Sequence, residues 1–555
     1  MHSVFWKMSK WVNTMNTNEF NQWIDKVSGE ASAYVPDIES LTQMGNALFN
    51  TPPLSRSTEP PALTVPGAEV SHSRPATGSS YPSTIPLPCE AELKALFTPN
   101  QYRAPAHISL SDSDHSGHPP WESSFYFLDE GIAPERHDRA AQIPATHPPF
   151  DIHAVRRDFP ILQEHVNGHS LVWLNNAATT QKPQAVIDRL TYFYTHENSN
   201  IHRAAHELAA RATDAYEESR NKVRQFLNAS STDEIIFLRG TTEAINLVAQ
   251  SWGRQHISAG DEIIITWLEH HANIVPWQML CNETGARLRV VPVDEDGQIL
   301  LEEYQKLLNS HTRLVAFSQV SNALGTITPA RQMVEMAHRV GARVLVDGAQ
   351  SVSHMRVDVQ QLDCDWFVFS GHKVFGPTGI GVLYGKTELL NDTQPWQGGG
   401  NMIQDVTFEK TAYHGAPARF EAGTGNIADA VGLGAAIDYV ERIGLENISR
   451  YEHELLAYAT GCLKSIAGLR LIGTAPDKAG VLSFTLQDFS SEEVGTALNR
   501  EGIAVRAGHH CAQPVLRRFG VESTVRPSLA FYNTYTDIDR LAAAVDRIRG
   551  KKNAF

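Results

Sequence analysis

The 555-residue sequence predicts an α/β fold with a large domain on a mostly parallel sheet, a smaller α+β domain after it, and a long N-terminal stretch without a core. Three observations carry this prediction. From about residue 150, short and nearly continuous apolar runs alternate with helical stretches. After about residue 415 the pattern changes to longer helices with a few short strands. Before residue 150, proline replaces apolar periodicity. The length also exceeds what one hydrophobic core usually supports.

The N-terminal stretch comes first. Of the 29 prolines in the chain, 17 fall between Pro52 and Pro149, among Ser, Thr, Gly and His. Proline removes backbone donors, and without apolar periodicity no packed core forms, so residues 1–150 are expected to be largely disordered or extended. Three islands depart from this background: residues 18–50, with Ile38, Leu41, Met44, Leu48 and Phe49 at helical spacing; SSYPSTIPLP followed by ELKALF; and the aromatic hexad SSFYFL at 123–128. Apolar islands on a proline-rich tether read as docking motifs that order on a partner, the alternative being that they pack back on their own catalytic region.

Beyond residue 150, DEIIIT (261–266), RLRVVPV (287–293), RLVAFSQV (313–320), ARVLVD (342–347) and DWFVFS (365–370) read as strands buried on both faces. Helical stretches such as PARQMVEMAHRVG (329–341) separate most of them, which is the βαβ pattern of a parallel sheet. The expected division is 151–414 for the large domain, its first helix packing on the small domain, and 415–555 for the small one.

Composition excludes several classes. A net charge of -15 leaves no basic footprint for nucleic acid. No apolar run reaches the roughly 20 residues a bilayer span needs, and the first 20 residues lack the apolar region of a signal peptide. Five scattered cysteines form no disulfide framework and suit the reducing cytoplasm, and no CxxC or His-rich spacing indicates a metal.

The chemistry centres on SGHKVFGPTGIG (370–381). Lys373 follows a buried strand among small residues, where desolvation can keep an amine neutral and nucleophilic, as Schiff-base formation requires. A strand-end lysine alone is usually a surface residue; three companions change that reading. Asp347 ends the strand ARVLVD, where a carboxylate can pair with the pyridinium nitrogen of pyridoxal phosphate, although alone it could be a helix cap. FLRGTTEAINLVAQ (237–250) is a strand, a turn and a helix whose N-terminus, with Thr241 and Thr242, suits a phosphate dianion. WLEHHANIVPWQ (267–278) places two histidines after a strand, where one ring could stack on a cofactor. All fall at strand C-terminal ends, where open α/β sheets bind ligands. A second element, GIAVRAGHHCAQP (502–514), sets Cys511 in a partly exposed loop where its histidines and Arg506 favour the thiolate. Cys281, Cys364 and Cys462 lie in apolar contexts and read as small core residues, and Cys89 has no catalytic company. Arg506 and Arg526 are fork-shaped donors suited to a substrate carboxylate, structural ion pairs being equally consistent with either alone.

WLNNAATTQKP, NIHRAAHELAARAT, RGTTEAINLVA, EHHANIVPWQ, SNALGT, VDGAQ, FSGHK, RFEAGTGN and RAGHHCAQP, in this order, resemble the SufS-type (group II) cysteine desulfurases over essentially all of residues 150–550. The resemblance implies the fold type I, class V aminotransferase-like architecture with a seven-stranded sheet. It implies pyridoxal phosphate as cofactor, L-cysteine as substrate, and a persulfide on Cys511. It makes Lys373 the cofactor-holding lysine, Asp347 the pyridinium partner, Gln350 the contact to the phenolic oxygen, and His270 the ring-stacking residue. Thr242, Ser370 and His372 become phosphate ligands, with Thr241 beside them. Asn322, Arg526, Arg506 and His202 fall to the substrate, and Thr424 to the phosphate of a neighbouring subunit, so a homodimer is implied. The short interval from Arg506 to Cys511 resembles the short loop of group II, whose members commonly pass sulfur to an acceptor protein. One departure is Asn175–Asn176, where the family usually has aspartate or serine at one position. Residues 1–150 resemble the cargo-loading domains of desulfurases packaged in family 2 encapsulin nanocompartments, with LTQMGNALF, SSYPSTIPLP and SFYFL as shell-binding segments. This implies a shell protein as partner and a cytoplasmic nanocompartment as location. Selenocysteine lyase activity on the same scaffold and a catalytically silent cargo protein are the alternatives. The second requires none of Lys373, Asp347, His270 and Cys511.

Overall fold

The computed structural model describes residues 150–201 and 206–550. The three N-terminal islands, Cys89 and His202 lie outside the described residues.

A seven-stranded sheet forms the centre. In chain order its strands are β1 (Ile235–Leu238), β2 (Glu262–Thr266), β3 (Arg287–Val291), β4 (Thr312–Ser318), β5 (Arg343–Asp347), β6 (Trp366–Ser370) and β7 (Gly381–Gly385). They lie in the order β1-β7-β6-β5-β4-β2-β3. Strands β2 to β6 pair in parallel, whereas β7 is antiparallel to both β6 and β1. Because β7 reverses the direction, β1 regains that of β6, and six strands end at one edge. The five apolar runs expected as strands are β2 to β6. Strand β7, in the glycine-rich run after Lys373, carried no comparable sequence signal.

Two-faced burial follows from the period of two along each strand. Ile264, Phe317, Val346, Phe367 and Phe369 join one apolar cluster; Ile263, Leu314, Leu345, Trp366 and Val368 join the other. Edge strand β3 is largely exposed or half-buried, as a strand with one neighbour should be.

Helix α1 (Glu207–Phe226) covers the first face, helix α2 (Thr241–Val248) follows β1, and helix α3 (Ile427–Ile443) packs beside α1. Although α3 follows residue 415, its Ile427, Val431, Leu433 and Ile437 belong to the cluster on the large sheet. Next come helix α4 (Leu445–Lys464) and an antiparallel four-stranded sheet: β8 (Leu469–Ile472), β9 (Ser483–Leu486), β10 (Arg506–Gly508) and β11 (Thr524–Arg526), in the order β8-β9-β11-β10. This sheet has its own core, including Leu455, Leu463, Phe484, Val494, Val525 and Leu541. The first described helix, Ile152–Arg157, packs against the C-terminal part: Arg156 Nη1 donates to Tyr532 O at 2.9 Å and to Asp537 Oδ2 at 3.0 Å.

A buried ion pair ties the turn before α3 to β1. Arg220 Nη1 and Nη2 reach Glu421 Oε1 and Oε2 at 2.7 and 3.0 Å, and Phe237 N donates to Glu421 Oε1 at 2.7 Å. The two side chains are 2% and 8% exposed, so removing one partner strands a charge away from water. Glu421→Ala is therefore expected to destabilise the protein by about 3–5 kcal/mol, measured by denaturant unfolding against the parent protein.

Candidate active site

Polar chemistry collects where the strands end. Lys373 lies in a single 3-10 turn, Gly371–Lys373, directly after β6. Asp347 ends β5, Asn322 follows β4, His270 follows β2, and Gly240–Thr241 follows β1. From the smaller sheet, Arg506, Cys511 and Arg526 face the same place: Lys373 is within electrostatic reach of Asp347, Arg526, Cys511 and Arg506. The structure thus gathers residues drawn from seven separated sequence segments.

The environment of each group sets its protonation. Burial pushes the Lys373 amine below the usual lysine range, the Asp347 carboxylate only partly opposing this. Burial raises the Asp347 carboxyl, with Lys373 and the Ala349 N–H, 2.9 Å from Oδ1, working against it. Its strand-end position requires Gly348, because a Cβ there would lie 1.9 Å from Phe367 Cζ. His270 is depressed to about 3 by burial and then by Lys373; its Nδ1 accepts from Ala272 N at 3.0 Å. A neutral ring with Nδ1 occupied is an apolar plate suited to lying against an aromatic cofactor.

At the N-terminus of α2, Thr241 N donates to Ser370 Oγ at 2.9 Å, and the Thr241 and Ser370 hydroxyls meet at 2.9 Å. The Thr241 N–H is therefore engaged by Ser370, while Thr242 is exposed on the first helical turn. His372 is depressed to about 4 by burial, then by Lys373 and Lys182. Gln350 is buried, its Nε2 donating to Ala177 O at 2.7 Å. A lysine of lowered basicity, a buried carboxylate, a neutral histidine plate and a helix N-terminus flanked by hydroxyls together fit pyridoxal phosphate.

The other half of the site is cationic. Arg506 and Arg526 sit directly opposite each other on β10 and β11, an unfavourable pairing unless an anion lies between them. Arg526 is 2% exposed, donates through Nη1 to Asn322 O at 2.7 Å, and leaves its buried Nε without a partner. Burial and then Arg506 push its guanidinium down to about 9. The Asn322 Oδ1 and His510 Nδ1 atoms are likewise buried without partners. A cationic pocket with orphaned polar atoms suits the carboxylate of an amino acid.

Cys511 is half-buried in a turn where His510 and Cys511 take left-handed φ values of 54° and 55°. Two contacts from the large sheet hold this turn: Asn322 Nδ2 donates to His510 O at 2.7 Å, and His271 N donates to Cys511 O at 2.8 Å. Cys281 and Cys364 are buried, and burial pushes the Cys281 thiol up to about 11 and Cys364 higher still. Cys462 is half-buried against the smaller core. Thr424 is exposed and lines an open depression with Tyr194, Asn198 and Asn200, none of which belongs to the group around Lys373.

Sequence reasoning passed over Glu269. It is fully buried and collects four donors: Thr266 Oγ1 (2.5 Å), Asn273 Nδ2 (2.7 Å), Ser318 N (3.1 Å) and Ser318 Oγ (2.7 Å). It thereby fastens the His270 turn to the ends of β2 and β4, while burial raises its carboxyl to about 7. An acidic residue three positions beyond a buried strand was the available signal. Asn176 is also explained: its Nδ2 donates to Ser528 O at 2.7 Å and Asn533 Oδ1 at 3.1 Å, which an aspartate could not do.

Residues 172–541 match the family Aminotransferase class-V. A cysteine desulfurase of Synechococcus elongatus is 62% identical over 541 residues, covering 92% of this chain and 86% of that protein. One from Pectobacterium carotovorum is 52% identical, covering 72% of this chain and 98% of its own length. The crystal structure of the cysteine desulfurase CsdA (S-sulfonic acid) from Escherichia coli superposes with a TM-score of 0.68 at 40% identity, covering 72% of this chain and 99% of that one. The chain belongs to the cysteine desulfurases of the class-V aminotransferase family. It is a pyridoxal-phosphate-dependent enzyme of fold type I.

The depressed histidines carry a pH consequence. Unfolded, His270 and His372 titrate near about 6.5; folded, they stay neutral to about 3 and about 4. Below pH ~6.5 the unfolded chain takes up protons that the native state refuses, so stability falls on acidification, by up to about 1.4 kcal/mol per pH unit per group. Thermal midpoints between pH 7 and 4.5 are expected to fall less steeply for His372→Gln than for the parent protein.

Proposed function

We propose that the protein converts L-cysteine to L-alanine and takes the released sulfur as a persulfide on Cys511. The observation that carries this reading is the convergence of Cys511, Lys373 and the Arg506–Arg526 pair in one electrostatic cluster, although they come from different sheets.

Bound pyridoxal phosphate supplies a protonated aromatic ring that absorbs negative charge developing at the substrate Cα. With the cofactor bound, Asp347 would keep a proton on its ring nitrogen, His270 would lie against the ring face, and Gln350 would lie by the phenolic oxygen. Ser370, His372, Thr241 and Thr242 would hold its phosphate at the N-terminus of α2. Arg526, Arg506 and Asn322 bind the substrate carboxylate, with His202 proposed beside them. Lys373, held less basic than a free lysine, takes the Cα proton. The Cys511 thiolate attacks the substrate sulfur: an S–S bond forms, the Cβ–S bond breaks, and its electron pair stays with the carbon skeleton. Protonation of that skeleton yields alanine. Selenocysteine fits the same geometry, since selenium leaves carbon more readily.

We further infer a homodimer in which Thr424 reaches the phosphate bound by the neighbouring subunit. Its exposure, apart from the Lys373 group, supports that reading. Residues 1–150 are proposed as the address that places the enzyme inside an encapsulin shell in the cytoplasm. Short motifs on a tether bind through summed weak contacts, which suits a shell lining of many identical sites. The Synechococcus elongatus relative matches 92% of this chain, against 72% for the Pectobacterium enzyme, so likeness extends beyond the catalytic part. A separate acceptor protein is proposed to discharge the persulfide.

With cysteine and a thiol reductant, the purified protein is expected to release alanine and sulfide. Cys511→Ala should lose that turnover while keeping the bound cofactor's absorbance band; full activity in that variant would sink the persulfide reading. Co-expression with an encapsulin shell protein should load the full chain but not one beginning at residue 150, and equal loading would sink the cargo reading.

A further inference from the structure

The dipeptide His270–His271 divides its rings between the two halves of the site. His270 turns toward Lys373, whereas His271 turns toward the thiol loop. The His271 N–H donates to Cys511 O at 2.8 Å, and its Nε2 accepts from Gln513 N at 3.4 Å. Its ring stacks 5.8 Å from that of His509 at an interplanar angle of 27°, and His509 Nδ1 accepts from Cys511 N at 3.1 Å. One residue of the turn after β2 therefore meets the loop before, at and after the cysteine.

That loop needs outside support. His510 and Cys511 both hold positive φ, a conformation disfavoured for residues bearing a Cβ and retained where surroundings enforce it. The turn follows the end of β10 and precedes the short helix Gln513–Arg518, so no strand ladder fixes residues 509–512. Burial and the neighbouring His509 push the His271 imidazole below the usual range, which keeps Nε2 available as an acceptor at neutral pH.

We propose that His271 is a positioning residue for Cys511, holding the thiol-bearing turn in its left-handed form so that the sulfur is presented to a substrate bound beside His270. This rests on Cys511 being the sulfur acceptor. The turn that sets the cofactor-facing histidine also sets the thiol, so cofactor and sulfur acceptor share one rigid support.

The test compares His271→Ala with His271→Gln, whose side-chain carbonyl can again accept from Gln513 N, in the cofactor-loaded enzyme. In His271→Ala, kcat for cysteine is expected to fall about 10- to 100-fold with KM within about twofold, as for a misplaced reacting group. Alkylation of Cys511 by iodoacetamide, followed by mass spectrometry, should quicken roughly fivefold as the loop loses a hydrogen bond. His271→Gln should recover most of both values, and the cofactor absorbance should be unchanged in each. Parent-like kcat and alkylation in His271→Ala, failure of glutamine to rescue, or loss of the cofactor band would each overturn the proposal. Intact turnover in Cys511→Ala would instead overturn the reading of Cys511 beneath it, and the alkylation rates would still report on the loop.

Discussion

A sheet buried on both faces leaves one place for polar chemistry, and the rest of the structure depends on that constraint. Along β2, β4, β5 and β6 consecutive side chains enter opposite apolar clusters, so no charged group can sit mid-strand without losing its water. Charged groups appear where each strand stops: Asp347 after Val346, Lys373 three residues beyond Ser370, Glu269 three beyond Thr266. Reversal of β7 brings the end of β1, with its helix N-terminus, to the same edge. The polar cluster at that edge is thus a consequence of how the core excludes polarity.

Charge balance shapes what assembles there. Lys373 and the buried Arg526 lie within electrostatic reach of Cys511 and of the exposed Arg506, and the two arginines lie directly opposite each other. Burial lowers Lys373 and Arg526 and raises Asp347, so each charge is held less firmly than in water. A dianionic cofactor and a substrate carboxylate would relieve that imbalance. The orphaned Arg526 Nε–H is a donor that such an anion would satisfy.

Support beneath the reacting groups comes from residues that need not touch substrate. Glu269 pins the His270 turn with four donors, and four donors meet the His372 carbonyl beside Lys373: Thr180 N (3.0 Å), Thr179 Oγ1 (3.1 Å), Thr180 Oγ1 (3.1 Å) and Lys182 Nζ (3.4 Å). The loop of residues 175–182, readable in sequence as a motif, acts here as a clasp on the lysine turn. Such clasps hold reacting groups to within the small tolerances that catalysis demands.

Much of this was legible in the residues themselves. Apolar period and length gave five of the seven central strands, since a fully buried parallel strand writes itself as an unbroken apolar run. Lys373, Asp347, His270 and Cys511 stood out because a reactive group beside a strand end or in a histidine-flanked loop departs from its background. Strand β7 was not legible, because its glycine-rich start has no strand signature and its direction follows from pairing. Glu269, His271 and Thr180 were equally silent: their roles are contacts across tens or hundreds of residues, and a side chain's local sequence does not record what it will touch. The sequence by itself determined the buried strands and the chemical groups at their ends. Only the tertiary structure decided that the second sheet would bring Cys511, Arg506 and Arg526 onto that edge, because long-range packing alone opposes β10 and β11 and docks their loop on His271 and Asn322.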